Sequence, residues 1–165
     1  MSLVKADFPR LLEPGLHTMS MGEVKTLCVD QFPTSARRGK IFAGLQGFLK
    51  EMSANGLVGD VWIDGSFVTK KLEPSDCDLV VAADGAKLDA LPAKQQDLVR
   101  RRFRTEHDQT KIVYLCDVYL FPVYPLIHIG HATVTLSQRK YWEDQFGFDH
   151  SKTPKGMALV SLSAP

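Results

Sequence analysis

The stretch from Val61 to Asp84, VWIDGSFVTKKLEPSDCDLVVAAD, constrains this chain more than any other. A short apolar run, Val61-Trp62-Ile63, stops at Gly65-Ser66. After nine intervening residues the chain resumes as Asp76-Cys77-Asp78 and passes directly into Leu79-Val80-Val81. An uninterrupted apolar run of this kind belongs to a central strand covered on both faces. A chain that carries it therefore needs helices layered on a sheet.

The remaining sequence supplies those layers. Ile41, Phe42, Leu45, Phe48, Leu49 and Met52 recur at steps of three and four, which predicts a helix over 36–54. Thr34 or Ser35 can cap its start, and Asn55-Gly56 its end. Strands are predicted at 60–64 and at 77–83, the second ended by an Asp84-Gly85 turn. Residues 86–104 suit a helix that starts near Leu91 behind Pro92. Lys111 to Phe121 is rich in Ile, Val, Tyr and Leu and predicts a strand stopped by Pro122 and Pro125. Ser137 to Phe146 reads as a helix and Met157 to Leu162 as a last strand. Residues 1–34, punctuated by Pro9, Pro14, Gly15, Gly22 and Pro33, read as an extended arm with one helical turn near Met21 to Val29. The expected fold is α/β (α+β), a small mixed β-sheet flanked by helices, in a single domain over 1–165.

Composition narrows the partners. Twenty Lys and Arg against nineteen Asp and Glu leave a formal charge of +1, too balanced for whole-surface binding of duplex nucleic acid. No apolar run approaches the roughly 20 residues that cross a bilayer, and the start MSLVKADFPR carries no apolar signal segment. A cytoplasmic protein with no membrane partner is expected. Cys28, Cys77 and Cys116 form no CxxC pair and are expected to be buried thiols.

The chemistry concentrates around the two strands. In extended chain Asp76 and Asp78 face the same way, with Cα atoms about 6.5 Å apart. Two carboxylates on one strand end suit a hard cation such as Mg2+, which takes oxygen ligands and completes its shell with water and phosphate oxygens. Gly65 gives a phosphate room to approach the backbone, and Ser66 offers it a hydroxyl and an N–H. Asp117, in an apolar run, needs a cation, a donor or water if it is buried. Alternation predicts Val113, Leu115, Asp117 and Tyr119 on one strand face.

Together, Gly65-Ser66, the spacer, Asp76-x-Asp78 and the later Asp117 resemble the signature of the DNA polymerase beta-like nucleotidyltransferase superfamily. PGLH (14–17), RRGKIFAGL (37–45), DGSFVTKKLEPSDCDL (64–79) and FGFDHSKTPKG (146–156) are similar to a group of small bacterial and phage-associated proteins built on that core. The resemblance implies a two-metal enzyme using Mg2+ or Mn2+. An acceptor hydroxyl would attack the α-phosphate of a nucleoside triphosphate, and pyrophosphate would leave. Asp76, Asp78 and Asp117 would be the catalytic metal ligands. Gly65 and Ser66 would cradle the triphosphate; separately from the resemblance, Thr69, Lys70 and Lys71 in the spacer are candidate nucleotide contacts, a lysine there neutralising triphosphate charge or simply lying solvated in the loop. The acceptor, a protein or an RNA, is open. The helical domain that larger members add has no counterpart, which leaves room for a homodimer or a partner chain. The alternative is an inactive nucleotide-binding or regulatory partner, such as a toxin–antitoxin or phage-defence component.

Other residues have plainer readings. Asp64 is expected to hydrogen-bond the adjacent turn. Arg100, Arg101, Arg102 and Arg104 favour the negative end of a helix. His128 and His131 lack a third ligand. Trp62, Trp142 and Phe146 read as core, and Lys155-Gly156 is a weaker candidate for phosphate contact.

Overall fold

The computed structural model describes residues 6–104 and 109–163, and it begins with a strand inside the predicted arm. This is β1, Gly15–Thr18. A short helix α1, Met21–Lys25, follows, opened by a capping box between Ser20 and Glu23, and continues as a wide turn over Thr26–Asp30. Next come α2 (Arg38–Ala54), β2 (Gly59–Asp64), a 3-10 turn (Gly65–Val68) and β3 (Cys77–Asp84). The chain goes on through α3 (Gly85–Asp89), α4 (Ala93–Arg102), α5 (Gln109–Tyr114) and β4 (Cys116–Val123). A turn over His131–Leu136 leads into α6 (Ser137–Phe146), and β5 (Gly156–Leu162) ends the sheet.

The five strands lie in the order β1-β5-β2-β3-β4. β1 is parallel to β5 and β4 is parallel to β3, while β2 runs antiparallel to both β3 and β5. The fold is thus the expected mixed sheet with helices on it. Alternation divides the side chains into two cores. On one face Val61, Ile63, Leu79, Val81, Cys116 and Val118 meet Ile41, Leu45, Phe48 and Met52 of α2. On the other, Trp62, Val80, Ala82, Phe121 and Met157 meet Phe146 of α6. Each large apolar side chain buried here contributes about 1.5–3 kcal/mol. Among the described residues, no helix is long and apolar enough to cross a membrane.

Three predicted boundaries are corrected. The run from Lys111 is not a strand until Cys116, because Gln109–Tyr114 is helical. Tertiary contact overrides β-propensity here. The Tyr114 hydroxyl donates to Glu51, and the Tyr114 backbone lies where a Cβ on Gly44 would come within 1.9 Å of its carbonyl oxygen. Leu115 then turns the chain in a left-handed conformation, φ 54°, so Val113 and Leu115 do not share a strand face with Asp117. Pro122 does not stop β4, since β4 is an edge strand and tolerates a missing N–H. Residues 86–104 form two helices, not one: Asp84 caps α3 by accepting from Lys87 N–H, and Pro92 opens α4. At α2 the predicted cap Ser35 accepts from the N–H groups of both Arg37 and Arg38.

Candidate functional site

Strand register gathers the carboxylates. Asp64 at the end of β2 stands directly opposite Asp78 on β3, and Asp78 stands opposite Asp117 on β4. Direct cross-strand neighbours point to the same face of a sheet. Three carboxylates therefore lie side by side across three strands, at the end of the aromatic face built by Trp62, Phe121 and Tyr119. Asp76, one residue ahead of β3 and two ahead of Asp78, joins the row. The predicted trio Asp76, Asp78 and Asp117 is thus brought together, and Asp64 makes a fourth.

Two lysines face these four groups. Lys111 of α5 places its ammonium 2.8 Å from Asp76 Oδ2 and 3.1 Å from Asp117 Oδ2. Lys155, ahead of β5, stands 3.0 Å from Asp64 Oδ1. The Lys155 ammonium is the charge partner of Asp64 Oδ1, a buried oxygen. Asp64 is 3% exposed, and to the local contact with the Gly65 backbone at the turn the fold adds a buried pair with Lys155, a residue distant in sequence. Burial pushes the Asp64 carboxyl up to about 7, against the pull of Lys155. Burial raises Asp78 to about 6, and the charges of Asp76 and Asp117 push the same way. Lys111 is held firmly protonated by its contacts with Asp76 and Asp117.

The Gly65-Ser66 turn closes over the row. Gly65 has φ 79°, and a Cβ there would fall 1.9 Å from Asp78 Oδ2. Glycine is required both by the left-handed backbone and by the carboxylate seated against it. Of the other predicted nucleotide contacts, Thr69 is buried and donates its hydroxyl to the Ser66 carbonyl, so it shapes the turn. Lys70 is exposed, and Lys71 lies with its ammonium 5.6 Å from the Phe8 ring. Neither is drawn into the carboxylate row.

Two residues that the sequence reading passed over hold this loop. Arg38 is fully buried and makes five hydrogen bonds to the carbonyls of Cys28, Phe67, Thr69 and Lys71, with its guanidinium 3.7 Å from the centre of the Phe32 ring. Arg37 donates to the carbonyls of Pro74 and Ser75. The start of α2 therefore grips both ends of the segment between the Gly-Ser turn and Asp76. The arm adds a third hold: Leu11 N–H donates to Val68, and Lys70 N–H to Pro9. A signal for the arginines was available, since two cations in the first turn of a helix oppose its dipole unless they are bound elsewhere.

The oxygen set suits a hard divalent ion. Asp76, Asp78 and Asp117 offer carboxylate oxygens on one face, and the buried Asp64, paired with Lys155, lies beside them. Among the described residues no three His, Cys, Asp or Glu side chains converge as a ligand group for a metal ion, and the Lys111 ammonium lies between Asp76 and Asp117. Beside Lys155 a cavity of about 460 Å³, lined by Asp7, Phe8, Pro9, Arg10, Asp149, Thr153 and Pro154, opens between the arm and the 149–155 loop. His131 bonds the Tyr124 carbonyl and His128 stacks on the Tyr124 ring, both outside the carboxylate row.

A family model described as a family of unknown function, DUF6932, matches residues 5–161 of this chain. The chain belongs to the DUF6932 family. The match takes in the arm, the loop and every carboxylate of the row, so the site of this DUF6932 protein lies wholly inside the family's span. No curated protein and no solved structure matches it.

Proposed function

We propose that this DUF6932 protein is a metal-dependent nucleotidyltransferase, which moves a nucleoside monophosphate from a nucleoside triphosphate to a hydroxyl on a protein or RNA acceptor. The observation that carries this reading is the register that sets Asp64, Asp78 and Asp117 abreast, with Asp76 beside them and the Gly65-Ser66 turn seated against Asp78. Asp76, Asp78 and Asp117 would hold Mg2+ or Mn2+, which supplies charge neutralisation at the transferring phosphate.

The chain's own residues do the rest. Gly65 and Ser66 receive the phosphates at a turn that Arg38 and Thr69 fix in place. Asp117, on the edge strand, would accept the proton of the attacking hydroxyl. The acceptor oxygen forms a bond to the α-phosphorus as the bond to the bridging oxygen breaks, and pyrophosphate leaves with that electron pair. A second copy or a partner chain would complete the site for the nucleoside or the acceptor. The Lys111 ammonium between Asp76 and Asp117 favours a second reading, a regulatory module that binds nucleotide without turnover, as a toxin–antitoxin or phage-defence partner would.

The test is a panel of labelled nucleoside triphosphates, incubated with Mn2+, cell lysate and either the wild type or Asp78→Ala. Label is then followed into protein, RNA and free nucleotide. Transfer by the wild type alone supports the enzyme. Label retained on the protein without transfer supports the module, and equal behaviour of the two proteins refutes both.

A further inference from the structure

Lys111 is a group that neither the Gly-Ser turn nor the Asp-x-Asp pair calls for, and it lies between two of the proposed ligands. Its ammonium lies between two carboxylates, 2.8 Å from Asp76 Oδ2 and 3.1 Å from Asp117 Oδ2. Oxygens gathered this way would also share a divalent ion. The helix that delivers the lysine is pinned by other contacts. Thr110 donates its hydroxyl to the Arg102 carbonyl, the Tyr114 hydroxyl donates to Glu51, and Gly44 leaves the space that the Tyr114 backbone fills. The backbone of α5 is therefore fixed independently of Lys111, while the Lys111 side chain is 38% exposed and has a path to solvent.

We propose that Lys111 is a tethered counter-ion for a divalent metal site: its ammonium neutralises Asp76 and Asp117 while the site is unloaded and is expelled when a divalent ion binds. The inference rests on the reading of these carboxylates as metal ligands. Like charges held together repel. The ammonium spares the unloaded protein that repulsion, and loading becomes an exchange of one cation for another. The exchange also selects by charge. A monovalent ion brings no more charge than the ammonium already present, whereas a divalent ion brings twice as much. Asp78, which Lys111 does not contact, gives the entering ion further negative charge, whereas Asp64 is already paired with Lys155.

The experiment measures Mn2+ binding without nucleotide, by the electron paramagnetic resonance signal of the free ion, for wild type, Lys111→Met and Asp78→Ala. Melting curves are recorded in chelator and in saturating Mn2+. Removing two part-exposed ammonium–carboxylate contacts should tighten Mn2+ binding by Lys111→Met about tenfold, equivalent to about 1.4 kcal/mol. The variant should melt below wild type in chelator and level with it or above in Mn2+. If wild type binds Mn2+ and Lys111→Met binds it no more tightly, or keeps the same melting deficit in Mn2+, the lysine is a fixed structural ion pair and the inference falls while the metal reading stands. If wild type binds Mn2+ no better than Asp78→Ala, the metal reading falls and takes this inference with it. Lys111→Gln carries the same comparison should the methionine variant not fold.

Discussion

Gly65→Ala probes the contact on which the site geometry depends. Two costs arise at this position. The left-handed backbone, φ 79°, disfavours any Cβ by about 1–2 kcal/mol. The Cβ would also fall 1.9 Å from Asp78 Oδ2 and 2.9 Å from its Cγ, so the carboxylate must turn away from its place beside Asp64 and Asp117. Forcing extra volume into a packed site costs about 1–3 kcal/mol. The single variant should therefore lose about 2–5 kcal/mol, which at about 2–4 °C per kcal/mol for a domain of this size is a drop of roughly 4–20 °C in melting temperature. In an Asp78→Ala background the clashing atoms are gone, and the nearest remaining one is the Asp78 Cβ at 3.3 Å. Gly65→Ala should then cost only the backbone strain. Urea unfolding of the wild type, both single variants and the double variant, all in chelator, gives the coupling, expected at about 1–3 kcal/mol. If Gly65→Ala costs the same in both backgrounds, Asp78 is not seated against the turn, and the reasoning that links turn to carboxylate fails.

Three further outcomes follow from the same groups. In chelator, Asp78→Asn should raise stability at pH 8 by about 1 kcal/mol, because it removes one of several crowded negative charges, and should abolish Mn2+ binding; calorimetry reads both. Asp64 has a folded pKa of about 7, well above its unfolded value, so stability is fully present below about pH 4 and is lost as pH rises through 7, on the order of 2–4 kcal/mol. Melting temperature against pH should flatten in Asp64→Asn, and Lys155→Met should cost about 3 kcal/mol at pH 8 and less at pH 5.5, where Asp64 is protonated. Arg38→Met strips donors from four carbonyls and should destabilise by more than about 3 kcal/mol, with Arg38→Lys recovering little of it by urea titration, since an ammonium cannot reproduce the guanidinium fork.

The parts legible in the sequence were those whose signal is local. The periodicity of α2, the apolar run of β3 and the Gly-Ser turn all show in a few consecutive residues, and each lies where it was expected. The grouping of Asp76, Asp78 and Asp117 was legible as a pattern, but the register that aligns them belongs to β2, β3 and β4 together. What escaped was non-local. Lys111 sits in a run of strand formers made helical by Tyr114 packing on α2, so its approach to Asp76 is invisible without the tertiary contact. Lys155 lies 91 residues from Asp64, and nothing near either announces the other. The Arg37-Arg38 pair was visible as residues but not as a clamp, because all the carbonyls it binds except that of Cys28 belong to a segment more than 25 residues away.

The three thiols are all fully buried, and burial holds those of Cys28 and Cys116 up at about 12. A thiol reacts as its thiolate, so a disulfide-exchange reagent in neutral buffer meets almost none of the reactive form while the chain is closed. Cys77 and Cys116 are cross-strand partners at the carboxylate end of the sheet, whereas Cys28 lies under the Arg38 guanidinium in the amino-terminal segment. Modification rates of the separate cysteines thus form an intrinsic clock with two hands, one timing excursions that lift the helix layer off β3 and β4 and the other timing release of the amino-terminal segment from α2.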